Sequence, residues 1–334
     1  MRIRQATVLG CLALSLAFGA ARAASAAPTP SPGDTKNCPD FATWNQAQIW
    51  YETYLPYYGD IAGLDRDDDG IACEGLPGEP ATAAPPTTIG SGYLMLESTG
   101  SVFGFGDMVP LLPLVTRTVV SVAAAPNGGY WLLAADGTVI SRGAPYYGSV
   151  VDKLVLPSGE IPTTIAGLPN GSGYWVFTDK GRAIGFGAAA TYGDMVGTPL
   201  NGAIVASAPT ASGKGYWMVG SDGGIFSFGD ALFYGSTGGM RLNRPVVGIA
   251  PDPDGVGYWL VASDGGIFAF SAEFKGSTGN LVLNQPVIGA LAYGDGYLMV
   301  AADGGIFSYS SKPFLGSLGD TPPSTPIVGV AVRR

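Results

Sequence analysis

Tyr258-Trp259-Leu260-Val261-Ala262-Ser263-Asp264-Gly265-Gly266-Ile267-Phe268-Ala269-Phe270 sets two apolar runs on either side of a tight Asp-Gly-Gly turn. Asp-Gly between apolar runs predicts an antiparallel hairpin, because glycine supplies the positive φ that such turns demand. The stretch recurs at 216–228 as Y-W-M-V-G-S-D-G-G-I-F-S-F. In all there are six copies, led by Tyr93, Tyr130, Tyr174, Tyr216, Tyr258 and Tyr297. The leading tyrosines stand 37 to 44 residues apart, a period that belongs to propeller blades or helical arrays. The pattern inside a repeat decides for blades. Pro245–Ala250, Tyr258–Ser263, Ile267–Phe270 and a further short run to about Ser277 read as about four strands separated by turn signals.

Working outward, the opening run of each repeat carries a small residue at one register: Ser121, Thr164, Ala206, Gly248, Gly289 and Gly329. Innermost strands of a propeller converge on its axis, where bulky side chains would collide. The first copy, from Ile89, lacks its opening run, and the chain ends on an unpaired one, Pro326–Val332. A C-terminal strand that completes the first blade would remove the exposed sheet edges. The expected fold is therefore mainly β, a six-bladed β-propeller over 89–334 closed by the C-terminal strand. Composition agrees: 52 glycines, 26 prolines, 46% hydrophobic and only 13% charged residues argue against both a helical protein and a disordered one.

The chain has no histidine, which removes Ser-His-Asp and Cys-His catalysis and His-containing zinc sites. An enzyme would have to work with carboxylates, as glycosidases do. Glu97, Asp107, Glu160 and Asp230 are candidates, although Asp107 and Asp230 share one repeat position, F-G-D, which favours a structural role. The turn residues Asp136, Asp222, Asp264 and Asp303 recur in four of the six copies, with Thr99 and Lys180 at the corresponding places in the others, and read as turn chemistry. The S-x-D-x-G-x-x-W spacing of sialidase Asp-boxes is absent. In each Tyr-Trp pair, strand alternation predicts one member buried between blades. No residue is assigned a catalytic role, and the ligand-binding residues of the ring are not identified from sequence.

Before the repeats lie three further parts. Residues 1–26 hold Arg2 and Arg4, an apolar run from Ala6 to Phe18 and small residues around Ala23 and Ala26, the pattern of a secretory signal peptide. Its removal takes Arg2, Arg4 and Arg22 and no acid, so the mature chain is more acidic than the full-length net charge of −9. Nucleic acid and anionic lipid are disfavoured as partners. Removal also takes Cys11 and leaves Cys38 and Cys73, a pair expected to form a disulfide outside the cell. Residues 36–76 hold both cysteines and an acidic cluster, and 77–88 form a Pro-rich linker.

In the acidic cluster, Asp65-Arg66-Asp67-Asp68-Asp69-Gly70-Ile71-Ala72-Cys73-Glu74 puts carboxylates at positions 1, 3 and 5, glycine at 6 and an acid at 10. Alternate side chains of a tightly turning loop point at one centre, the Ile71 carbonyl can serve at position 7, and hard oxygen donors suit Ca²⁺. The closing acid, Glu74, arrives two residues earlier than in an EF-hand. N-C-P-D-F from Asn37 followed by D-R-D-D-D-G-I-A-C-E closely resembles the Excalibur domain, an extracellular calcium-binding module of bacterial surface proteins. That resemblance implies Asp65, Asp67, Asp69 and Glu74 as side-chain ligands of Ca²⁺ and Cys38 paired with Cys73. Asp68 falls off the ligand register. So small a domain needs a staple and a metal to fold. Trp44, Ile49, Trp50 and Tyr54 are expected on a short amphipathic helix packed over the site.

The repeat phrase is similar to the Gly-rich, aromatic repeats of secreted actinobacterial-type surface proteins, and its cadence loosely resembles an RCC1-like propeller. These likenesses imply architecture alone. The function expected is that of a secreted, calcium-binding surface or matrix protein. It is non-enzymatic and monomeric, without a membrane span once mature, extracellular or loosely held at the cell surface, and its propeller binds a glycan, a cell-wall polymer or an extracellular protein. The alternative is a carboxylate-dependent propeller glycosidase or lyase acting on extracellular polysaccharide.

Overall fold

The computed structural model describes residues 33, 35–42, 46–47, 50–51, 54, 62–64, 72–73, 76, 92–111 and 117–332. The hairpins read from the sequence are present: β1 (Gly92–Glu97) and β2 (Val102–Gly106); then β3 (Val119–Ala124), β4 (Tyr130–Ala134) and β5 (Val139–Arg142). They continue with β6 (Pro162–Gly167), β7 (Gly173–Thr178), β8 (Ala183–Gly187), β9 (Ile204–Pro209), β10 (Gly215–Gly220) and β11 (Ile225–Gly229). The last are β12 (Val246–Pro251), β13 (Tyr258–Ala262), β14 (Ile267–Phe270), β15 (Val287–Tyr293), β16 (Gly296–Ala301), β17 (Ile306–Tyr309) and β18 (Ile327–Val332). They form six antiparallel sheets of three strands, an arrangement that fits six propeller blades.

Five sheets are consecutive triplets, and the sixth has the order β18-β1-β2, with Tyr93 opposite Val332 and Leu96 opposite Gly329. The C-terminal strand therefore takes the inner position beside β1. The six inner strands touch in a ring, β3 to β6, β9, β12, β15, β18 and back to β3. The small-residue register falls where they meet. A Cβ added at Gly248 would stand 3.0 Å from the Gly289 Cα and 2.9 Å from the Ala290 nitrogen.

The fourth strand expected in each repeat is absent among the described residues; after the third strand the chain runs on as an irregular outer segment. Its glycine explains why. Gly148, Gly193, Gly235, Gly276 and Gly316 all have φ between +117° and +141°, outside strand geometry. Each offers its carbonyl to the leading tyrosine of the next repeat, as Tyr258 Oη donates to Gly235 O at 2.6 Å and Tyr93 Oη to Gly316 O at 2.6 Å. The aromatic of the third strand lies against the same glycine, so that a Cβ at Gly235 would come within 2.3 Å of the Phe270 ring. The outer segment thus bonds to the neighbouring sheet through its glycine and forms no strand ladder with its own.

Middle strands are buried on both faces, because each sheet is covered by a sheet on either side. Tyr258 and Trp259 are accordingly both inaccessible, which corrects the expectation that only one of each pair is buried. Tyr258 packs on Trp217 of the preceding sheet, and Trp259 on Tyr297 of the following one. Each tryptophan also ties down its own outgoing segment, Trp131 to Pro145 O, Trp175 to Ala190 O, Trp217 to Leu232 O and Trp259 to Glu273 O, all at 2.8 Å.

Candidate functional site

Two places in the chain carry chemistry, the acidic segment and the axis of the ring. The proposed calcium ligands Asp65, Asp67, Asp69, Ile71 and Glu74 lie outside the described residues, as do Trp44 and Ile49, the signal segment 1–26 and the linker 77–88. The residues that flank the acidic segment are described. The Cys73 N–H donates to Leu64 O at 2.7 Å, tying together the two ends of 65–72. Cys38 and Cys73 form the disulfide, with Cα atoms 5.2 Å apart. A small core of Ala47, Tyr51, Ala62, Leu64, Ala72 and Cys73 packs behind them, with the Trp50 and Tyr54 rings tilted against each other, centroids 4.8 Å apart. Gln46, Ala47, Trp50, Tyr51 and Tyr54 are helical, in keeping with the expected short helix. Three carboxylates, a fourth acid and a carbonyl on a segment pinched at its base are a donor set suited to Ca²⁺, which binds six to eight oxygens.

On the axis lies a cavity of about 900 Å³ lined by all six inner strands and by the loops that follow them. Its lining depends on a feature that recurs in every sheet. The pairing of inner with middle strand skips one residue, a β-bulge, at Val120, Thr163, Val205, Val247, Ile288 and Val328. Bulges re-aim side chains, and all six bulged residues line the cavity. Sequence reasoning missed them; the available signal was the β-branched residue that stands directly before each small one.

The mouth gathers polar groups. Asp230 accepts hydrogen bonds from Thr210 Oγ1 at 2.8 Å and Ser212 Oγ at 2.5 Å. Asp252, in the loop after β12, accepts the Asp254 N–H at 3.3 Å. Burial pushes the Asp252 carboxyl above the usual range, and the Asp254 charge beside it adds to the rise. Lys312 is the one basic side chain on the lining among the described residues, its Nζ 5.3 Å from the Tyr293 ring centroid.

The other carboxylates singled out from the sequence are placed elsewhere. Glu160 is held by Arg182 through two bonds, at 2.8 and 3.0 Å, and by Thr178 at 2.7 Å. The Arg182 guanidinium keeps its carboxyl below the usual range. Glu97 bonds to the segment before β18, and Asp107 is exposed at the end of β2. The turn aspartates close their own turns: Asp136 accepts from Thr138 N, Asp222 from Gly224 N, Asp264 from Gly266 N and Asp303 from Gly305 N. The structure thus brings one sequence candidate, Asp230, to the cavity and adds Asp252.

Residues 35–74 match the Excalibur calcium-binding domain. Among solved structures, the chain is similar to one described as a nidogen/laminin complex, with a TM-score of 0.50 and 11% identity over 73% of this chain and 99% of that one. That likeness speaks for the propeller-type fold alone. Two curated relatives, the NADH-quinone oxidoreductase subunits C of Salinispora arenicola and Salinispora tropica, are 30% identical over 110 residues, 30% of this chain. The chain spans 40% of their length. Among the described residues no helix is long and apolar enough to cross a membrane.

Proposed function

We propose that this chain is an exported protein in which a calcium-loaded Excalibur module, with Asp65, Asp67, Asp69, Glu74 and the Ile71 carbonyl as ligands, precedes a six-bladed ring closed by β18. The ring is a binding module for a cell-wall glycan or other extracellular polymer or protein. The observation that carries this reading is the axial cavity, to which every inner strand contributes a bulged residue. Six repeats then serve one site, and the module before the linker is stabilised where calcium is plentiful. Extracellular calcium sites bind at about 10⁻⁴ to 10⁻³ M, which suits structural occupancy outside the cell. The test is co-sedimentation of the mature chain with purified bacterial cell wall, in calcium and in chelator, scoring bound protein and released sugar. Binding without release is expected.

A second reading has one observation in its favour. Asp230 and Asp252 both line the mouth, and a pair of carboxylates on one cleft is what a glycosidase uses. Sugar release by the wild-type chain that is lost in both Asp230→Asn and Asp252→Asn would establish that enzyme and displace the non-catalytic reading.

A further inference from the structure

The cavity is not six-fold symmetric in its chemistry. β3, β6 and β9, with the loop after β9, line one half of it with Ser121, Thr164, Ser207, Thr210 and Ser212. Hydroxyls there interact across strands: Ser121 Oγ accepts the Ile165 N–H at 3.2 Å, and Thr164 bonds to Ser207. β12, β15 and β18 line the other half with no serine or threonine, and offer the partly exposed Val247, Ile288, Leu291, Val328 and Val330 between glycines. Each inner strand is also paired on one side only, which leaves backbone polar groups near the axis.

These features select a ligand class. An acyl chain would strip water from the hydroxyls and strand edges without replacing its hydrogen bonds, which is unfavourable for each buried group. A polyanion would meet two aspartates and a single lysine at the mouth. A neutral sugar ring presents C–H groups on its faces and hydroxyls around its edge, which matches an aliphatic wall opposite a hydroxyl wall, with Asp230 and Asp252 as acceptors for its O–H groups. The volume of about 900 Å³ is within the roughly 300–1,000 Å³ of small-ligand sites. We infer that the axial cavity takes the end of a neutral oligosaccharide chain, its ring faces against β12, β15 and β18 and its hydroxyls toward β3, β6 and β9. This rests on reading the ring as a binding module and names the ligand and the place.

Gly289 supplies the test. It lines the cavity, and a Cβ built there meets nothing within 4 Å, so a larger side chain projects into open space. Calorimetric titration of the full exported chain with two probes, β-1,4-linked hexamers of glucose and of N-acetylglucosamine, should give binding by at least one. Gly289→Leu should weaken it at least tenfold with an unchanged melt. Asp252→Asn, in a loop outside the sheets, should weaken it as well and serves as the second variant if Gly289→Leu fails to fold. Phe274→Ser tests the exposed outer surface, where Phe233, Phe274 and Phe314 share one repeat position, and should leave binding intact. Binding of neither hexamer overturns the inference. So does hexamer binding that survives Gly289→Leu, or that survives Asp252→Asn where the glycine variant cannot be made, or that is lost in Phe274→Ser. If the chain sediments with cell wall yet binds neither hexamer, the binding-module reading stands and only the cavity ligand is wrong; if it does neither, both fall.

Discussion

Removing the Glu97 carboxylate should loosen the join between the two ends of the ring. Glu97 ends β1 where the corresponding strands carry Ala134, Thr178, Gly220, Ala262 and Ala301, and it is 5% exposed. Its Oε1 accepts the Thr325 N–H at 2.9 Å and the Ser324 hydroxyl at 3.4 Å, and its Oε2 accepts the Thr99 hydroxyl at 3.1 Å. Two of these donors belong to the segment that leads into β18. A hydrogen bond to a charged group contributes about 1.5–3 kcal/mol, and a buried N–H left without an acceptor costs about 1–3 kcal/mol. Glu97→Ala should therefore destabilise by about 2–4 kcal/mol and lower Tm by roughly 4–16 °C at about 2–4 °C per kcal/mol. Glu97→Gln keeps an acceptor oxygen and should cost about half as much.

The pH dependence separates this latch from simple packing. Desolvation pushes the Glu97 carboxyl up, but hydrogen bonds from Thr325, Ser101 and Thr99 together outweigh it and leave the pKa lowered. A lowered folded-state value means stabilisation that is complete above the unfolded glutamate pKa of about 4.3 and is lost as pH falls through the folded one. The difference in Tm between the wild type and Glu97→Gln, followed by near-UV circular dichroism, should be full at pH 7 and smaller at pH 3. A difference of the same size at both pH values would refute the reasoning, as would a Glu97→Ala protein that melts with the wild type.

Truncation before Pro326 should expose the backbone edge of β1 and cause aggregation or a large loss of stability; a soluble truncated chain with an unaltered melt would refute closure by β18. Tyr258→Phe removes the hydroxyl that donates to Gly235 O and accepts from Tyr234 N and Gly235 N, and should cost about 1–3 kcal/mol in chemical denaturation while leaving the secondary structure intact. Asp67→Ala or Asp69→Ala should abolish calcium binding by residues 36–76 in isothermal titration and leave the melt of the ring unchanged; joint loss of both transitions would show that the two parts are not separate units.

What the sequence disclosed depended on how local the cause was. The hairpins were legible because an Asp-Gly turn and its flanking strands lie within thirteen residues, and the small-residue register because it recurs in every copy. The outer segment was misread as a strand. Its apolar residues are strand-like, but Gly235 and its counterparts sit at positive φ and bond to the neighbouring sheet, a partner that no local pattern names. Glu97 was legible only as a loose acid, since its partner Thr325 lies 228 residues away. Asp252 did not stand out because it lies in the one Pro-Asp-Pro-Asp loop, outside the repeated phrase.

Repetition and function pull this ring in opposite directions. The tyrosine-to-glycine bonds, the tryptophan ties and the bulges recur because every junction between sheets faces the same packing problem. A site built from those elements alone would present identical groups around the axis and could not orient an asymmetric ligand. Orientation needs positions where the copies differ, and they differ at the axis: Thr164 and Ser207 bond to each other on one side, where Gly248 and Ala290 stand on the other. They differ again in the loops at the mouth, where Asp252 belongs to one repeat and Lys312 to another. Recognition is therefore to be sought where the repeats disagree, and the regular surfaces of the sheets are explained by packing.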